Sequence, residues 1–79
     1  MSADASSQRL ERTEQPDPAE ARRVREQFGW TRQQMANELG VHESSVVRWE
    51  RGVVRPAGGR LRDWVRLLDR MTAELDASG

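Results

Sequence analysis

Three glycines punctuate the middle of this chain and leave room between them only for short helices. Gly29, Gly40 and Gly52 each follow a stretch of helical periodicity, where a glycine ends a helix in the left-handed conformation without a Cβ penalty. Start signals precede these stretches. Asp17 is an N-cap, Pro18 suits the first helical position, and Glu20 completes the spacing of a capping box. Thr31 and Gln34 repeat that box ahead of the second stretch. Ala21, Val24 and Phe28 then share one face of a first helix, and Met35, Ala36 and Leu39 supply the second. Only Val41 and His42 separate Gly40 from a third stretch, Glu43 to Arg51, with Val46, Val47 and Trp49 as its apolar members.

After the loop Val53-Val54-Arg55-Pro56 comes the longest pattern. Leu61, Trp64, Val65, Leu68, Met71, Thr72 and Leu75 form one stripe at alternating three- and four-residue steps. It predicts a helix from about Arg60 to Asp76, roughly 25 Å long. No segment alternates with period two for long enough to be a strand, so the class is all-α. Residues 1–16 carry Leu10 as their one aliphatic side chain beyond Ala and the initial Met. Such a stretch cannot offset its ordering entropy and reads as a disordered tail, leaving residues 17–76 as one small domain.

Composition removes whole classes of chemistry. With no Cys and a single His (His42), disulfides, thiolate zinc sites and Cys nucleophiles are excluded, and neither metal nor cofactor is expected. A 79-residue chain leaves little room for an enclosed pocket, and no nucleophile–base pair or carboxylate–His cluster is visible. The expectation is a non-enzyme. No uninterrupted apolar run exceeds two residues, so no segment spans a membrane, and the N-terminus lacks the apolar core of a secretory signal. A cytoplasmic location is the expectation.

The formal net charge is zero, from 13 Arg and no Lys against 13 acidic residues. That total conceals an uneven distribution. Residues 1–17 carry two Arg and four acids, and residues 69–79 one Arg and three acids. Between Arg48 and Arg66 stand six Arg and two acids, a net of +4. A basic centre with acidic ends predicts modest non-specific affinity for a polyanion, with selectivity left to a few side chains.

Residues 32–51 meet the demands of a helix-turn-helix. The first helix needs a small residue where the two cross, and Ala36 stands there. Gly40 supplies the positive φ of the turn, Val41 is the buried aliphatic after it, and Val46 and Trp49 point back to the core. The opposite face then carries Glu43, Ser44, Val47, Arg48 and Arg51.

The stretch VREQFGWTRQQMANELGVHESSVVRWERGVVRP, Val24 to Pro56, resembles the lambda-repressor-like helix-turn-helix family, also called Cro-type or xenobiotic-response-element. The resemblance rests on Arg25, Gly29, Thr31, Met35-Ala36, Leu39-Gly40-Val41, Trp49-Glu50-Arg51-Gly52 and Pro56, in that order. The chain departs from the family pattern in three places. Arg32 stands where many members have Gln, and His42 where the recognition-helix cap is commonly Ser or Thr. An extended fourth helix replaces the usual short fifth one.

The resemblance implies a bundle of four to five helices whose third helix lies in the major groove of double-stranded DNA. Carried over by position, Glu43, Ser44, Val47 and Arg48 would face bases. Arg32, His42, Ser45, Arg51, Arg55 and Arg60 would contact phosphates. Arg25 and Glu50 match a family ion pair between helices 1 and 3. Met71, Thr72 and Leu75 lie beyond what the helix-turn-helix unit requires and read as a homodimer seam. The resulting expectation is a sequence-specific transcriptional regulator, a repressor or autoregulator, dimeric on a palindromic operator. The alternative is an antitoxin-like interaction module that binds a protein partner, such as a toxin, through the tail or the C-terminal helix.

Overall fold

A computed structural model describes residues 16–78, which form four helices and no strand. They are α1 (Pro18–Phe28), α2 (Arg32–Leu39), α3 (Glu43–Arg51) and α4 (Gly58–Ser78). The tail over residues 1–16 lies outside the described residues except for Pro16.

Local chemistry accounts for the helix starts. At α1 the Asp17 side chain accepts from the Glu20 amide at 3.0 Å. Only that half of the box forms, because the Glu20 carboxylate accepts from Arg23 at 2.7 Å instead. At α2 both halves form: the Gln34 amide donates to Thr31 Oγ1 (3.1 Å) and the Thr31 amide to Gln34 Oε1 (2.8 Å). His42 occupies the N-cap of α3, yet its side chain makes no capping hydrogen bond. An imidazole in place of Ser or Thr thus leaves this helix start to its backbone.

The turn between α2 and α3 is held by Gly40, whose φ of 70° lies in the left-handed region. Its amide donates back to α2, and the next amide, Val41, reaches the Ala36 carbonyl at 3.0 Å. A Cβ at Gly40 would meet nothing within 4 Å, so only the backbone conformation resists a side chain there.

The core draws on all four helices. Ala21 and Val24 come from α1, Met35 and Ala36 from α2, Val46 and Trp49 from α3, and Trp64, Leu67, Leu68 and Met71 from α4. Met35, Ala36 and Val46 are wholly buried, which places the crossing of α2 and α3 at the centre of the bundle. Phe28 and Trp30 meet edge-on at its margin, with ring centroids 5.8 Å apart.

Helix α4 corrects the sequence reading in two ways. It begins two residues earlier and ends two later than expected, giving 21 residues and a length of about 31 Å. The second correction concerns the seam. Met71 is 1 % exposed and belongs to the core, so it cannot present itself to a second chain. The reason is geometric: α1 packs along α4, and Met71 shares the buried face with Trp64, Leu67 and Leu68 one and two turns back. Leu67, outside the expected stripe, is buried as well. Of the expected seam, Leu75 remains half-buried and Thr72 exposed, its hydroxyl donating to the Leu68 carbonyl at 2.9 Å.

Candidate nucleic-acid interface

Helix α3 divides cleanly between two environments. Val46, Trp49 and Glu50 face inward and are buried. Glu43, Ser44, Arg48 and Arg51 are exposed, and Ser45 and Val47 lie half-buried. Positions 43, 44, 47, 48 and 51 fall on one outward strip, as a period of 3.6 residues requires. The strip offers an acceptor in the first turn, a hydroxyl, an aliphatic surface and two guanidinium groups. Such a set matches the acceptors, donors and methyl groups that base edges present in a major groove.

Residues expected at phosphates fall around this helix. Arg60, from the start of α4, comes to the helix-turn-helix turn and lines an open depression of ≈ 420 Å³ with Gly40, Val41, His42 and Ser45. His42, Ser45 and Arg60 are therefore brought together. Arg51 and Arg55 are exposed at and beyond the end of α3, flanking Val53 and Val54, which are themselves exposed. Arg32 stands apart at the first position of α2, half-buried.

Beneath the surface lies a buried ion cluster. Arg25 Nε donates to Glu50 Oε2 at 2.6 Å and Arg25 Nη2 to Glu50 Oε1 at 3.0 Å. The paired side chains are only 6 % and 2 % exposed. Arg25 Nη1 donates to the Trp30 carbonyl at 2.8 Å, so α1, the α1–α2 loop and α3 are joined through one guanidinium. This geometry is the bidentate fork that suits Arg to carboxylates. Arg32 Nε adds a third hydrogen bond to the same carboxylate, at 3.2 Å to Oε1. At the rim, the hydrogen bond from Arg22 holds the Glu26 carboxyl below its usual range, with Arg25 and Arg32 adding to the effect.

The Arg32–Glu50 contact escaped the sequence reading. No local periodicity links a helix start to a helix end 18 residues later. A second groove was also unseen: Glu38, Leu39, Asp63, Arg66, Leu67 and Arg70 line it between α2 and α4, with Arg70 and Glu38 3.6 Å apart. Among the described residues there is no cluster of metal-ligating side chains, and no helix is long and apolar enough to cross a membrane.

A helix-turn-helix family model matches residues 22–75, from the second turn of α1 to all but the last turn of α4. Comparison with curated proteins and with solved structures found no match.

Proposed function

The chain belongs to the lambda-repressor-like helix-turn-helix family of DNA-binding transcription regulators, and from that premise we propose that it is a homodimeric repressor acting at a palindromic operator. The observation that carries the reading is the outward strip of α3, exposed and polar at every position but Val47, while its other face is locked into the core. On this reading Arg48 donates to a guanine, Glu43 accepts from a cytosine amino group, Val47 meets a thymine methyl, and Ser44 contacts a neighbouring base edge. Arg32, His42, Ser45, Arg51, Arg55 and Arg60 hold the phosphate backbone and set the register.

Repression follows from operator occupancy, by steric exclusion of polymerase. Thr72 and Leu75 form what remains of the dimer seam, and a two-fold axis there sets the recognition helices about 34–36 Å apart. A protein partner bound through residues 1–16 rests on positions that, Pro16 apart, lie outside the described ones. Deleting that tail tests it: loss of partner capture with unchanged DNA affinity supports the partner, and loss of neither removes it.

The test of the main reading is a gel shift with the DNA flanking the gene, run at low and at moderate salt. A specific complex that weakens with salt supports it. No shift at low salt, or equal affinity for every sequence, rejects it.

A further inference from the structure

We infer that Glu50 is a positioning residue for phosphate binding, holding Arg32 by its Nε edge so that the outer edge of that guanidinium is presented to the DNA backbone. The inference rests on the DNA-binding reading above and adds to it how the phosphate contact is built.

Three donors converge on the Glu50 carboxylate, two from Arg25 and one from Arg32. The two arginines are in unlike positions. Arg25 is buried, and its Nη1 is bound to the Trp30 carbonyl, so it has no edge left to offer outward. Arg32 is 37 % exposed and engages Glu50 through Nε alone. Its two Nη groups have no hydrogen-bond partner among the described residues. A guanidinium is a rigid planar fork, so engaging Nε on Glu50 restricts the group and leaves the Nη end open. That outer edge is the one that grips a phosphate through two parallel N–H···O bonds.

Charge leads to the same place. Arg22, Arg25 and Arg32 against Glu26 and Glu50 leave a net +1; Arg22 is paired with Glu26 and Arg25 is buried, so the open edge with access to solvent is that of Arg32. Position completes the case. Arg32 opens α2, and Glu50 lies in the last turn of α3, the helix whose outer strip carries the base-facing residues. A single buried carboxylate thereby sets the distance between the phosphate grip and the reading helix.

A lysine cannot replace this arrangement. Its single ammonium serves either Glu50 or a phosphate, never both along two edges. Arg32→Lys keeps the charge and removes the geometry, which separates positioning from simple electrostatic attraction.

The experiment uses the full chain and a labelled arbitrary-sequence duplex of about 25 base pairs, followed by fluorescence anisotropy between about 50 and 200 mM salt. The expected result is that Arg32→Lys lowers the slope of log Kobs against log salt by about 0.9 and weakens binding at least about fivefold, as Arg32→Gln does. Glu50→Gln, where circular dichroism shows it folded, should weaken binding, and adding Arg32→Lys should then cost little more. If Glu50→Gln does not fold, Arg32→Lys decides alone. A wild-type slope for Arg32→Lys, or independent effects of the two substitutions, overturns the inference while leaving DNA binding intact. Failure of the unmodified chain to bind the duplex at low salt overturns both.

Discussion

Trp49 and Trp64 lie with ring centroids 5.4 Å apart and planes tilted by 51°, so that α3 and α4 meet through their two indoles. Trp64 Nε1 is buried there without a hydrogen-bond partner among the described residues. An unpaired buried donor is a cost that Trp64→Phe removes along with some volume. Trp64→Phe should therefore lose less than about 2 kcal/mol, whereas Trp49→Ala should lose about 3–5 kcal/mol through its cavity. Urea unfolding followed by circular dichroism compares the two.

Arg25 and Glu50 are buried beyond the reach of solvent screening. Arg25→Met should cost about 3–5 kcal/mol, because Glu50 is left with only Arg32 beside it. Replacing both, as Arg25→Met with Glu50→Leu, should recover most of that loss, since no buried charge is then uncompensated. Thermal unfolding of the three proteins measures it. A double variant no more stable than Arg25→Met would contradict the account.

Gly40 has open space around its missing side chain, so the penalty for filling it isolates backbone strain. Gly40→Ala should lose about 1–2 kcal/mol, and Gly40→Asn less, because Asn tolerates the left-handed region. The denaturant midpoint should fall with the m-value unchanged.

Arg48 and Arg51 are both exposed guanidinium groups on α3, but the proposed roles differ. With an operator selected from randomised duplexes, Arg48→Ala should relax preference at one base pair by about 1–3 kcal/mol. Arg51→Ala should weaken binding to all sequences alike and lower the salt slope by about one unit. Equal loss of affinity across sequences for Arg48→Ala would remove it from base reading.

Met71 and Leu75 are one helical turn apart on α4 with unlike burial. Met71→Ala should destabilise the monomer by about 2–5 kcal/mol. Leu75 is half-buried at the edge of that core, so Leu75→Glu should cost less stability than Met71→Ala while lowering the association constant of the folded chain. Sedimentation equilibrium reads the second effect; an unchanged association constant places the dimer contact elsewhere.

Most of the fold was written locally. The Thr31–Gln34 box, the Gly40 turn and the inward residues of α3 follow from the identity of near neighbours, and the helices formed where those signals stood. The placement of Arg25 against Glu50 came through a family pattern, since spacing alone relates nothing 25 residues apart. The second guanidinium on Glu50, the arrival of Arg60 at the helix-turn-helix turn and the burial of Met71 depend on how helices cross. A stripe of apolar residues says that a helix has a buried face. It does not say how far along the helix that face stays covered, and the bundle buries α4 as far as Met71.

A carboxylate shared by three helices also restricts how the sequence can drift. Arg25, Arg32 and Glu50 sit on α1, α2 and α3, and each depends on a charge supplied by another. Loss of the acid strands two cations, and loss of Arg25 leaves the acid half-neutralised in the interior. Single steps at these positions are penalised, so among descendants the three should be exchanged together or not at all. Covariation would then be strongest where separation along the chain is large, binding the start of the domain to the end of its reading helix.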